Sequence, residues 1–484
     1  MLFNSYTFLF LFLPITLLGY FILQKAGKRF WNDNRRISIG NAFLLAASFV
    51  FYGWNRPAYI PILIGSMAVN YGLFWQIEKT RHKGRALAAG LVFHLGILAC
   101  FKYIGTGTFV PLGISFFTFT QIAFLMEGYR GNLEQVKALS YGLYVGFFPK
   151  MMQGPIVLPD EMFSQLGQPD KRVDWERLYR CLYLFTLGLF KKVLLADTLG
   201  GAVEFGYANL AALNSADAII VMLSYTLQLY FDFSGYCDMA MGIAGMFGIN
   251  LPLNFNSPYK ASNIMEFWQG WHITLTRFFT RYLYIPLGGN CKGKCRTYVN
   301  CLIVFLISGI WHGAGLTFVI WGLLHGILYV ATRAWKDYRA EKGVHKQGKN
   351  KIIHGISVFL TFLYVNIAWI FFRAPSVGEA FTLIKTICAF RFSRINWNLA
   401  GCFNLDEFWY IIKVAGIDSW QYAHYILMSV LLLAMLFLVF FSKNAHDTAK
   451  RVKPRAISTI FITILFVWSV LSLSGVSSFL YVNF

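Results

Sequence analysis

Three stretches concentrate ionisable side chains inside otherwise apolar sequence. FWQGWHITLTRFFTRYLYIPLGGN, Phe267–Asn290, carries His272, Arg277 and Arg281. SGIWHGAGLTFVIWGLLHG, Ser308–Gly326, carries His312 and His325, and YFDFSGYCDMAMGIAG, Tyr230–Gly245, carries Asp232 and Asp238. Inside a membrane each such group costs roughly 2.5–3.5 kcal/mol on insertion scales, so each is by default a functional hypothesis. A neutral imidazole, titrating near about pH 6.5 when unperturbed, can take a proton from a hydroxyl and return it to a leaving group. Beside His312, Gly313 removes a side chain and lets a substrate approach, and Trp311 can wall the site against water. Gly309 and Gly315 allow helices or a ligand to come close. No Ser or Cys stands in a nucleophile-elbow setting and no His-Glu-x-x-His pattern occurs. A histidine base acting without metal or protein nucleophile suits acyl transfer to an alcohol. Plainer readings stand beside these: His312 as an imidazole bonding a backbone carbonyl between helices, His325 as structural, and Asp232 and Asp238 as partners of Lys or Arg that lock helices together.

The scaffold that positions these clusters is membrane-embedded. The chain has 484 residues, 57% hydrophobic and 13% charged, where a soluble domain carries roughly 25% charged residues. Its apolar runs reach the roughly 20 residues that cross a bilayer as helix and lack the two-residue alternation of barrel strands. The expected fold is therefore all-α and polytopic, with about eleven transmembrane helices. Met1–Leu23 lacks a basic start and a cleavage site and stays as the first span. The net charge of +21 falls in short loops, as the positive-inside rule produces, so it calls for no nucleic-acid partner. The loops Gln24–Arg36, Lys79–Arg85, Arg333–Lys351 and Lys443–Arg455 are read as cytoplasmic, which puts both termini outside. Between Ile352–Phe372 and Tyr425–Phe441 the chain is expected to lie outside or dip part-way in, and Ser458–Leu473 is the last span.

The middle is irregular. Phe147–Pro159 and Gly248–Trp268 are studded with Pro, Gly and Asn, and broken backbone is tolerated at membrane depth only where protein or a wet cavity satisfies it. Short, broken and re-entrant helices around an internal chamber are expected. No internal repeat is visible, which argues against inverted-repeat transporters. Three regions follow: N-terminal helices over 1–130, a core over 131–332, and C-terminal helices with a tail over 333–484. Cys291 and Cys295, in CKGKC, have no nearby His or second Cys pair and read as thiols in a basic loop rather than a zinc site. No metal is expected.

The blocks MLFNSYTFLFLFLPI, MMQGPI, FDFSGYCDMAMGIAGMFGINLPLNFNSPY, EFWQGWHITLTRFFTRYLYIPLGGN and GIWHG, in this order and spacing, resemble the membrane-bound O-acyltransferase family. The likeness is to its bacterial branch that O-acetylates polysaccharides. The resemblance implies a tunnel joining a cytoplasmic donor to an outside acceptor, with His312 as the catalytic residue and His272 as a second important histidine. Trp311, Gly313, Trp271, Arg277 and Arg281 would line or bind substrate. Acetyl-CoA would be the donor, with no permanently bound cofactor. Final delivery would use an extracytoplasmic SGNH-type acetyltransferase acting on a polysaccharide, at the bacterial inner membrane. Two departures stand out. The family's FWRRWH has Gln269 and Gly270 in place of its arginines, and Thr280 and Arg281 replace its later Arg-Asp pair, leaving Arg277 and Arg281 to supply the lost charge. The tail FLYVNF, Phe479–Phe484, is similar to a C-terminal F-[LI]-Y-x-x-F signature of this branch, in which Tyr481 would carry the acyl group. An aromatic anchor at the lipid interface and a docking point for a partner are the other readings of that tail. D-alanyl transfer to teichoic acid and a transporter without covalent chemistry are the rival functions, and the N-terminal block with the fused tyrosine tail favours acetylation over the former.

Overall fold

The computed structural model describes residues 1–104, 110–168, 173–343, 350–405, 410, 413–417, 420, 422–475 and 479–480. Among them the secondary structure is helical throughout. A π-helical turn, Phe8–Phe12, leads into α1 (Leu13–Phe30), followed by α2 (Asp33–Gly53), α3 (Tyr59–Lys79) and α4 (Lys83–Ala99), which ends in a second π-turn, Cys100–Ile104. The middle breaks into short pieces: α5 (Ile114–Tyr129), α6 (Ala138–Gly146), α7 (Phe148–Met151), α8 (Pro159–Leu166), α9 (Trp175–Phe190), a π-turn Lys191–Ala196, and α10 (Asp197–Ala208). After α11 (Ser215–Met246) come α12 (Ile264–Gly270) and α13 (Ile273–Phe279). The long helices α14 (Gly293–His312), α15 (Leu316–Glu341) and α16 (Lys351–Arg373) follow. The remainder is α17 (Val377–Cys388), α18 (Trp397–Gly401), α19 (Ala423–Phe441), α20 (Ala445–Arg451) and α21 (Ala456–Leu471).

Nine helices among the described residues are long and apolar enough to cross a membrane, against about eleven expected from hydropathy, and α21 is shorter. The difference arises in the middle, where apolar segments such as α5 and α6 are buried as short interior helices. The stretch Arg333–Lys351, expected as a loop, begins as the last turns of α15. Nothing in TRAWKDYRAEK interrupts a helix until Gly343, whose φ of +62° takes the left-handed stop.

α11 is the pillar. Asn214 caps its start, accepting from the amides of Ala216 and Asp217 at 2.8 and 3.2 Å, while Asp217 reaches back to the Asn214 amide at 3.2 Å. Its end is a Schellman turn, with Gly248 at φ +78° and the Ile249 amide bonded to the Ala244 carbonyl at 3.0 Å. The window of this helix that could cross a membrane is 89% buried inside the protein, so its polar residues must find partners there. Its two buried aspartates do: Lys191 and Lys192, on the π-turn beside it, pair with Asp238 at 2.6 Å and Asp232 at 2.8 Å. This bears out the helix-locking reading of both aspartates.

α14 and α15 form a close antiparallel hairpin. A Cβ on Gly309 would lie 2.4 Å from the Phe318 carbonyl oxygen, and one on Gly322 would lie 2.6 Å from that of Phe305. Small residues permit such approach where lipid supplies no hydrophobic drive. Gly309→Leu should therefore force the hairpin apart and lower stability by about 1–3 kcal/mol. Gly355→Leu on α16, which meets open space, should be silent in the same thermal-unfolding measurement in detergent.

Candidate active site

His312 is the last residue of α14. The first turns of that helix lie beside the end of α15, where Lys294 pairs with Glu341 and the Tyr298 hydroxyl donates to Asp337 at 2.9 Å. His312 thus stands at the opposite, tip end of the hairpin, about 30 Å away along the helix. The last carbonyls of a helix lack intrahelical partners. Here the second π-turn supplies them: Lys102 donates to the Trp311 carbonyl and Tyr103 to that of Ile310. A cation at a helix C-terminus also complements its dipole.

The His312 ring is 4% exposed, edge-on to Trp321 and Phe372 at centroid distances of 5.0 and 4.9 Å. Trp311 packs against Phe119 at 5.2 Å. A cavity of about 20 Å³ is lined by Lys102, Ser115, Phe116, Met152, Trp311 and His312 among others, room for a group the size of one water. Within its lining the Ser115 Oγ is buried without a hydrogen-bond partner among the described residues. Gly313 does not open onto this space. A Cβ there would lie 2.3 Å from the Phe318 ring, so the missing side chain accommodates a protein ring, a correction to the expectation that it admits substrate.

His272 reaches the same region from the broken middle. It is 1% exposed and caps α13 with a left-handed backbone, φ +45°, a conformation that costs a non-glycine residue about 1–3 kcal/mol and persists only where its surroundings impose it. The imposition comes from Asn254. Its carbonyl accepts from the Ile273 amide at 3.0 Å. Its side-chain Oδ1 accepts from the Thr274 amide and hydroxyl at 3.2 and 2.9 Å and lies 3.1 Å from His272 Nδ1. With Nδ1 so engaged, Nε2 is the ring atom left for chemistry, and it is buried with no partner among the described residues. Phe116 bridges the two histidine segments, its ring centroid 6.4 Å from those of both His272 and Trp311.

A second cavity of about 250 Å³ runs from Asn290 and Arg333, near the basic end of the hairpin, to Ser308, one turn before His312. Gln269 and Thr280, where the chain departs from the family motif, both line it. Other expected site residues are placed elsewhere. Trp271 lines neither cavity and stacks in the aromatic core, 5.6 Å from Phe267 and 4.9 Å from Trp369. Arg277 forms a two-pronged pair with Glu161, one arm at 2.8 Å, and Arg281 does the same with Glu127 at 2.9 and 2.5 Å. Arg277 is neutralised by Glu161, and Arg281 shares Glu127 with Arg130, so neither is presented alone to a donor phosphate as expected. His325 accepts from the Trp268 indole at 3.3 Å, in keeping with its structural reading. Tyr481 lies outside the described residues. Asn254, Lys102 and Ser115 were not singled out from sequence. Asn254 sits inside the quoted NLPLNFNSPY block, and a buried Asn in a loop rich in Pro was the available signal.

Residues 3–372 match the sequence model of the membrane-bound O-acyltransferase family. The chain is 40% identical over 430 residues to the peptidoglycan O-acetyltransferase of Helicobacter pylori, covering 80% of this chain and 79% of that one. It is 34% identical over 415 residues to the probable alginate O-acetylase AlgI of Pseudomonas aeruginosa, covering 81% and 75%. To the teichoic acid D-alanyltransferase of Streptococcus thermophilus it is 29% identical over 291 residues, covering 54% and 68%.

The two arginine pairs differ in environment. Glu127 is 2% exposed at its side chain, whereas Glu161 is 32% exposed. Arg281→Gln should cost about 1.5–3 kcal/mol of stability, the worth of hydrogen bonds to a buried charge. Arg277→Gln should cost under about 1 kcal/mol. Thermal melts of the two variants side by side test the ranking.

Proposed function

The chain belongs to the membrane-bound O-acyltransferase family, and on that premise we propose that it passes acetyl from cytoplasmic acetyl-CoA to the outer face of the membrane. The acetyl serves O-acetylation of a cell-wall or extracellular polysaccharide. The observation that carries this reading is the position of His312: buried at the hairpin tip on a small cavity, with a larger cavity rising toward it from the basic end. Basic ends are cytoplasmic by the positive-inside rule, so a phosphate-bearing donor approaches from there and extends its thioester arm toward Ser308 and His312. His312 takes the proton of an acceptor hydroxyl, and the oxygen attacks the thioester carbonyl. The C–S bond then breaks, and the proton returns to sulfur to give the free thiol of CoA. Lys102 and Ser115, lining the same cavity, are the donors that can offset charge on the tetrahedral oxygen. His272, oriented by Asn254, stands on the donor side of this centre. A thioester exceeds an ester in transfer potential, so the step needs no other energy source.

The acceptor inside the protein is Tyr481, which hands acetyl to an extracytoplasmic SGNH-type transferase, and both termini are outside. Acetyl is favoured over D-alanyl because the relatives named as O-acetyl enzymes match at higher identity and over more of the chain. A transporter without covalent chemistry is set aside by family membership.

His312→Ala should lower acetyl transfer from labelled acetyl-CoA by about 10²–10⁴-fold, the usual worth of a general base, with membrane insertion unchanged. Activity above half of wild type would remove His312 from the chemistry. Tyr481→Phe keeps the ring and deletes the hydroxyl, so it should stop polysaccharide acetylation as fully as His312→Ala. Undiminished acetylation by that variant would leave the tail as an anchor.

A further inference from the structure

The last described residues return to the protein interior. Phe479 is 0% exposed and sits edge-on to Tyr236 at 5.0 Å between centroids. Lys192 Nζ stands 4.6 Å from its ring centroid. The Leu480 amide donates to Asp232 Oδ2 at 3.0 Å, while Oδ1 of the same carboxylate accepts from Lys192 at 2.8 Å. Lys192 also pairs with Asp197 at 2.8 Å.

A pair this deep is a poor choice for stability alone. Lys192 and Asp232 are each 1% exposed, and at such burial desolvation offsets most of the attraction, so apolar residues would hold the helices as well. The charged pair does two things an apolar pair cannot: it offers a carboxylate oxygen to a backbone amide and a cation to a ring face. Both of those contacts are made with the tail. An aromatic anchored at the lipid interface would not need them, since it would lie half in lipid. A chain of contacts links the seat to the reaction cavity. Tyr236, beneath Phe479, faces the Gln153 backbone, and the preceding residue, Met152, lines the cavity with His312.

We propose that Lys192, Asp232 and the buried ring of Phe479 form a clasp that holds the C-terminal tail in register for acetyl transfer from the centre at His312. This rests on Tyr481 being the acceptor. In the step it serves, the Tyr481 oxygen bonds to the acetyl carbonyl carbon, the C–S bond breaks, and the phenol proton passes through His312 to the departing sulfur. The clasp residues position and do not react.

The test uses full-length protein with labelled acetyl-CoA and two readouts. One is acetyl on the C-terminal peptide by mass spectrometry; the other is acetylation of 4-methylphenol, a diffusible stand-in for the tyrosine side chain. Phe479→Ala and Asp232→Asn should lose about a hundredfold in Tyr481 acetylation, the scale of a small misplacement of a reacting group. Both should still acetylate 4-methylphenol at the wild-type rate, and Phe479→Leu, which refills the seat without a ring face for Lys192, should recover the tail reaction only in part. Undiminished Tyr481 acetylation in Phe479→Ala and Asp232→Asn overturns the clasp and leaves the relay standing. Parallel loss of both readouts overturns it too, by reducing these residues to a folding role. Absence of acetyl from Tyr481 in active wild type overturns the relay, and the clasp with it.

Discussion

Charge and polarity buried in a bilayer must be answered inside the protein, and this constraint organises the whole chain. Lys191–Asp238, Lys192–Asp232 and Arg281–Glu127 each join elements distant in sequence. Removing Lys191 or Lys192 would leave buried carboxylate charge with no water to solvate it, whereas Lys192 keeps Asp197 and Glu127 keeps Arg130 when the other partner is lost. The same demand explains Lys102. Where α14 must stop so that His312 can stand at its tip, the orphaned carbonyls draw in a cation, which thereby becomes part of the cavity lining. The accounting is not complete: buried polar atoms without partners among the described residues include Thr226 Oγ1 and Gln228 Oε1 on α11 as well as His272 Nε2 and Ser115 Oγ, and of these Ser115 belongs to the lining of the cavity beside His312.

Rigidity around the site follows from packing. The glycines of the α14–α15 hairpin bring backbones too close for any side chain. The His272 backbone is held left-handed by bonds to Asn254. Two histidines brought from separate segments are thus fixed before any substrate arrives, which is what transfer without large motion requires. The long cavity beside α14 is bounded by aromatic and aliphatic side chains together with Gln269, Thr276 and Thr280, with Arg333 and Asn290 toward its basic end. It suits the passage of an uncharged arm better than the lodging of a phosphate.

Much of this was legible in the sequence, and the rest was illegible for physical reasons. Apolar run length and charge placement give a polytopic helical protein. The Pro, Gly and Asn in Phe147–Pro159 and Gly248–Trp268 mark where the backbone is broken. The paired Trp-His motifs point to His272 and His312. About eleven spans were expected where nine described helices are long and apolar enough to cross and α21 is shorter, because a hydropathy window cannot tell an interior helix such as α5 from one facing lipid. The arginines were misassigned because Glu127 and Glu161 lie more than a hundred residues upstream, and no periodicity links them. Gly313 was misread for a related reason: a glycine beside a histidine signals close approach, but not whether a substrate or Phe318 does the approaching.

The central claim is that the acetyl group transferred at His312 crosses the membrane while the donor does not. Proteoliposomes holding the protein in one orientation, with labelled acetyl-CoA confined to the face of the basic loops, address it directly. The extracytoplasmic transferase and its polysaccharide polymer are supplied only on the other face, and label on the polymer is measured together with CoA on each side. The expected result is acetylated polymer, with all CoA retained on the donor face and no transfer by His312→Ala. Label reaching the polymer only when donor and polymer share a face, or CoA found on the polymer side, would contradict it.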